Sequence, residues 1–98
     1  MSANLEVSVR KLNGVWTVRP AGEIDLATVE QFRECLAGLH GPIRVDCSEL
    51  SFIDAVGLGA LAEKHHENGA LTLCGTTPFL RRLLEVVGLR SVLALEER

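Results

Sequence analysis

Residues 43–61 read IRVDCSELSFIDAVGLGAL, and the change of period inside this stretch decides what kind of domain the chain builds. Ile43, Val45 and Cys47 alternate with Arg44 and Asp46, the period-two pattern of a strand with one buried face. From Ala55 to Glu67 the spacing becomes helical. Leu58, Leu61, Ala62 and His65 share one face, while Glu63, Lys64, His66 and Glu67 sit mostly away from it. A strand therefore passes into a helix through Phe52-Ile53-Asp54, with Phe52 and Ile53 expected inside. Asp54 is expected to cap the helix: its carboxylate can accept from free first-turn amides, and its charge suits the positive end of the helix dipole.

Working outward, residues 5–10, LEVSVR, alternate apolar and polar, Asn13-Gly14 supplies a tight turn, and VWTVRP is rich in β-formers. This predicts an opening hairpin. AGEID, residues 21–25, reads as a loop carrying Glu23 and Asp25. Between Leu26 and Leu39, the residues Val29, Phe32, Leu36 and Leu39 recur at helical spacing. Asp25 is the expected cap of that helix, with Thr28 and its capping-box partner Gln31 competing. His40-Gly41-Pro42 breaks it. Asn68-Gly69 ends the second helix and ALTLC forms a further strand. Thr77-Pro78 opens a third helix carrying Leu80, Leu83, Leu84 and Val87, which Gly88 closes with Leu89 folding back. SVLAL is the last strand, and the tail EER is expected to be loose.

The expected fold is therefore α/β: one domain spanning 1–98, with a mixed, mostly parallel sheet of about five strands and three main helices in the order β-β-α-β-α-β-α-β. Alternating strands and helices imply right-handed crossovers. Function in open α/β sheets concentrates beyond the carboxyl ends of the strands, where AGEID and SFIDAVGLG both fall.

Composition narrows the function. The formal net charge is −3 and the basic residues are dispersed, so there is no electrostatic footprint for nucleic acid. No apolar run is long enough to span a membrane and the first residues lack a signal-peptide pattern; a cytosolic location is expected. The three cysteines, Cys35, Cys47 and Cys74, have no C-x-x-C spacing and read as reduced core thiols. Adjacent residues on a helix point about 100° apart, so His65 and His66 do not clamp one metal ion. There is no nucleophile–base pair, phosphate cradle or serine elbow, hence no expected catalytic residue, metal or cofactor.

Three motifs in register, AGEID, VDCSELSFIDAVGLGAL and PFLRRLLEVVGL, resemble the STAS family (sulphate transporter and anti-sigma factor antagonist) over nearly the whole chain. That family usually writes the first motif G-E-[LI]-D and the junction F-[IM]-D-S-S-G-L-G. Gly22, Glu23 and Asp25 match the first; Phe52, Ile53, Asp54, Gly57, Leu58 and Gly59 match the second. The phosphoacceptor serine of many free-standing members falls on Ala55, and the second serine on Val56, so neither hydroxyl is present. A phosphate there would add up to two negative charges beside two loop carboxylates; alanine prevents that chemistry.

The resemblance implies a non-enzymatic, partner-switching module. It would bind an anti-sigma factor or serine-kinase-like regulator through Glu23, Asp25, Asp54, Ala55, Val56, Gly57 and Gly59, locked in its binding-competent form. Ser51 and Ser48 are candidate displaced phosphosites, and a monomer or weak dimer is expected. Two alternatives belong to other classes: an accessory STAS subunit of a membrane transporter such as a lipid-trafficking complex, and a small-ligand or nucleotide sensor. Gly57 and Gly59 each cost helix propensity of about 1 kcal/mol, which calls for close approach of a neighbouring backbone or a partner.

Overall fold

The computed structural model describes residues 4–89 and 93–96. Its elements run β1 (Leu5–Leu12), β2 (Val15–Ile24), α1 (Val29–Ala37), β3 (Ile43–Asp46), β4 (Leu50–Ile53), α2 (Ala55–Asn68), β5 (Leu71–Cys74), α3 (Pro78–Val86) and β6 (Ala94–Leu95). They form one mixed sheet in the order β1-β2-β3-β5-β6, with β4 also paired to β2. Among the described residues only the β1–β2 hairpin is antiparallel; β2–β3, β2–β4, β3–β5 and β5–β6 are parallel. The α/β class and mostly parallel sheet are as expected.

The sheet departs from expectation in having an extra strand. Where one third strand was expected, β2 is flanked by two collinear pieces: Trp16, Thr17 and Val18 pair with Ile43, Arg44 and Val45, and Gly22, Glu23 and Ile24 pair with residues of β4. The break has a cause in β2. Trp16 N donates to Pro42 O and Gly22 N to Glu49 O, so the even-numbered residues of β2 present their backbone groups to β3 and β4. Pro20 is the one even position between those ladders and has no N–H to give. The partner strand turns away opposite it, through Cys47-Ser48-Glu49.

Local chemistry sets the other boundaries. Asn13 and Gly14 both have positive φ, 53° and 80°, the mirror-image turn that matches hairpin twist. Asp25 Oδ1 accepts from Ala27 N and Thr28 N at 3.0 and 3.2 Å, holding residues 26–28 as a turn, so the first helix begins at Val29 rather than Leu26. In α3, Thr77 Oγ1 accepts from Leu80 N at 3.1 Å with Pro78 beside it. Gly88 at φ 79° then lets Leu89 N reach Leu84 O at 2.8 Å, the expected C-terminal motif. The last strand was expected to be SVLAL: Ala94–Leu95 is strand, and residues 91 and 92 lie outside the described residues. Glu96 is not loose, since its carboxylate pairs with Arg44 Nη2 at 2.7 Å; the rest of the tail lies outside the described residues.

All three helices contribute to one core. Phe32 and Leu36 of α1, Leu58 and Leu61 of α2, and Leu80 and Leu84 of α3 join Val18, Ile24, Ile43, Val45, Leu71 and Leu73 from the strands. The opposite sheet face carries Thr17, Arg19, Arg44, Asp46 and Thr72, with Arg19 paired to Asp46 at 3.2 Å. Lys64 corrects the helical-face reading of α2: it is buried, its Nζ 3.7 Å from Glu67. Its long apolar stem covers core surface as a leucine would.

Candidate functional site

The carboxyl ends of β2 and β4 meet at one end of the sheet, where Ile24 and Ile53 are register partners. Asp54 N donates to Ile24 O at 3.3 Å, tying the start of α2 to the residue before Asp25. Glu23, Asp25 and Asp54 are thus carried on neighbouring segments of one rim, as their positions at strand ends implied.

Asp54 caps α2 in extended geometry, Oδ1 accepting from Val56 N at 3.0 Å and Gly57 N at 3.1 Å. Its capping role is as expected. Asp25 is held differently. Thr28 Oγ1 donates to Glu23 O at 2.8 Å and accepts from Asp25 N at 3.0 Å, and Thr28 is itself buried. Of the two caps expected for α1, Thr28 rather than Asp25 takes the N-cap position, but its side chain makes no cap bond to the helix; it is instead the post around which the acidic loop is wound. Ala21 to Ile24 belong to β2 rather than to a loop. Gly22, at φ 117°, lies so close to Asn4 O that a side chain would overlap it, so this glycine serves the crossing of the chain beneath the rim.

The apolar part of the rim was not anticipated. Phe52 was expected inside and is 43% exposed; Val56 is 38% exposed and Leu26 78%. The register supplies the reason: Gly22 pairs with Leu50 and Glu23 with Phe52, so Ser51 is an extra, unmatched residue. A bulge of this kind re-aims the side chains that follow it, and Ser51 and Phe52 both end up exposed. Ser51 Oγ donates to Gly22 O at 3.1 Å. Ser48 lies in the turn between β3 and β4, its amide bonded to Asp46 Oδ1.

Ala55 is exposed at the first position of α2, with Val56 beside it and Phe52 and Leu26 on the adjoining segments. Gly57 and Gly59 separate into two cases. A Cβ on Gly57 would come 2.7 Å from Ile53 Cγ1 and 2.8 Å from Ile24 Cγ2, whereas nothing lies within 4 Å of one on Gly59. Gly57 lets the helix start press onto β2 and β4; among the described residues Gly59 has no neighbour that requires it.

Elsewhere the described residues hold no cluster of three or more metal-ligating side chains, and none of their helices is long and apolar enough to cross a membrane. Of the cysteines, Cys47 and Cys74 are buried as expected, but Cys35 is only half-buried. Burial pushes the Cys47 thiol up to about 12 and raises Cys35 and Cys74 too.

A family model described as "Mlab, STAS domain" matches residues 7–95. The anti-sigma-B factor antagonist of Listeria monocytogenes is 28% identical over 98% of this chain and 90% of its own length; that of Staphylococcus aureus is 26% identical over 96% and 94%. An anti-sigma factor antagonist from Mycobacterium paratuberculosis superposes with a TM-score of 0.86 at 24% identity, covering all of this chain and 92% of the other. Unphosphorylated SpoIIAA, also an anti-sigma factor antagonist, gives 0.74 at 21% identity, covering 95% and 90%.

Proposed function

Because the chain belongs to the STAS domain family, we propose that it is an anti-sigma factor antagonist: a binding module that withdraws an anti-sigma factor, or a serine-kinase-like regulator, and so frees a sigma factor by mass action. The proposed docking surface is the rim of Glu23, Asp25, Asp54, Ala55, Val56, Gly57 and Gly59, widened by Phe52 and Leu26. It combines an acidic border with an apolar centre, the distribution that lets charge orient a partner while burial holds it. The module carries out no reaction of its own.

One observation carries this reading. Ala55 is exposed at the start of a capped helix, at the position to which the motif resemblance assigns the family's phosphorylated serine. On this reading the docking surface is kept while the off-switch at its usual place is absent. Unless the switch has moved to Ser51 or Ser48, binding is accordingly constitutive, and control acts on the partner or on the amount of this protein.

The test is affinity purification of the tagged protein from its own cells, repeated with Ala55→Glu. Recovery of a kinase-fold regulator by the parent and its loss by the variant supports the proposal. Recovery of a membrane transporter complex, or a kinase-fold regulator retained equally by the folded variant, overturns it.

A further inference from the structure

We propose that β1 is a self-association edge: two copies of the chain pair their β1 strands antiparallel about a two-fold axis at Ser8, forming one continuous sheet. β1 is the terminal strand in the sheet order and, among the described residues, no strand covers its outer side. Asn4 O accepts from Glu23 N, so even-numbered residues of β1 point their backbone groups toward β2. Odd-numbered residues point theirs outward, and Leu5 O accordingly meets the side chain of Gln31, at 3.0 Å, rather than β2. Among the described residues, Val7, Val9 and Lys11 have no backbone partner along this edge, a template for another strand.

The side chains select both partner and register. Val7 and Val9 lie on the helix-bearing face, opposite Pro20 and Val18, and Glu6, Ser8 and Arg10 on the open face, opposite Ala21, Arg19 and Thr17. A two-fold axis normal to the sheet preserves faces, so each residue must meet one of its own parity. With the axis at Ser8, Val7 of each copy faces Val9 of the other and exchanges both backbone bonds with it. Glu6 then faces Arg10, an opposite-charge cross-strand pair formed twice. With the axis at Val7 or Val9, Glu6 meets Ser8 or Leu12 instead and the charge pairs are lost. Val9, 36% exposed in the single chain, becomes covered. A charged edge that would repel a foreign strand is self-complementary here.

Such a dimer leaves the rim beyond β2 and β4 free on each copy, at opposite ends of the extended sheet. Its failure would not touch the proposed function, nor the reverse.

Sedimentation equilibrium of the full chain over a range up to about 1 mM should show a monomer–dimer equilibrium. Glu6→Arg should weaken it about tenfold by opposing like charges, and Glu6→Arg/Arg10→Glu should restore it. Val9→Pro, which removes an outward N–H while sparing the bonds to β2, should abolish it. Ser8 sits on the axis as a pair without mutual backbone bonds, where Cα atoms lie about 4.5 Å apart, within disulfide reach. Ser8→Cys should therefore cross-link under mild oxidation at least about tenfold faster than the exposed, off-axis Leu12→Cys. A monomer throughout the range, or a dimer indifferent to charge reversal with Ser8→Cys no faster than Leu12→Cys, overturns the proposal.

Discussion

Gly57 sits where any side chain would collide with Ile53: a β carbon would lie 2.7 Å from Ile53 Cγ1 and 3.1 Å from the Ile24 carbonyl oxygen. Both isoleucines are buried, so neither can swing aside into solvent. Gly57→Ala should therefore destabilise the fold by about 1–3 kcal/mol. Gly59, with no atom in reach of its absent Cβ, should respond oppositely, Gly59→Ala gaining about 0.5–1 kcal/mol from helix propensity. Denaturant titration of the two variants checks the pair, and equal destabilisation would refute the packing explanation.

If Gly59→Ala is stabilised but binds the purified regulator less tightly, the glycine is retained for a partner's close approach. Calorimetric titration should show a loss of at least about threefold, a modest steric penalty at an interface. Unchanged affinity would place Gly59 outside the docking surface.

Asp54 combines a cap with a charge, and two substitutions separate them. Asp54→Ala removes the oxygen that accepts from Val56 and Gly57 and should cost about 1 kcal/mol of stability. Asp54→Asn keeps an accepting oxygen and should stay within a few tenths of the parent. Weaker regulator binding by the stable Asn variant would then report the charge alone.

These contrasts also show which features the residues revealed on their own. Alternation in Ile43, Val45 and Cys47, the helical spacing of Phe32 and Leu36, and the Thr77-Pro78 and Gly88 signals act locally, and each appears where expected. The break between β3 and β4 does not act locally. It arises because Pro20 on β2 cannot donate to the strand beside it, a relation across about 27 positions of sequence that no periodicity in residues 43–53 records. Phe52 was misplaced for the same reason, since the Ser51 bulge shifts the alternation that would have buried it. Lys64 was misplaced because a polarity pattern counts its ammonium and overlooks its four-carbon stem.

The buried thiols make stability depend on alkaline pH. A thiol whose pKa is raised in the folded state keeps its proton there while the unfolded chain loses it, so the stabilisation is present below the unfolded pKa and declines as pH rises. For Cys47 the window runs from the ordinary value of 9.0 to about 12, at a slope of up to about 1.4 kcal/mol per pH unit for one proton. The chain has no tyrosine to titrate in that window. Unfolding free energies between pH 8.5 and about 10.5 should fall with pH, and Cys47→Ala should flatten the fall. In native labelling at neutral pH, the half-buried Cys35 should react before Cys47 and Cys74; simultaneous labelling would mean the core opens globally before any thiol reacts.

Ala55 is the position at which the site and its control can be tested together. It is exposed in the first turn of α2, one residue from the Asp54 carboxylate. Ala55→Glu should leave folding nearly unchanged, because an acid suits the positive end of a helix. Placed among Asp54, Asp25 and an incoming partner, the same acid should weaken binding by about 1–3 kcal/mol through repulsion and desolvation. Ala55→Ser should bind like the parent and, given the regulator kinase and ATP, acquire one phosphate by intact mass where the parent acquires none. Phosphate on the parent, mapped to Ser51 or Ser48, would show that the switch has moved along the chain, for both residues are exposed. Titration calorimetry with circular dichroism as the folding control reads out the first variant. A folded Ala55→Glu protein that binds as tightly as the parent would remove the start of α2 from the interface, leaving Asp54 as a helix cap alone.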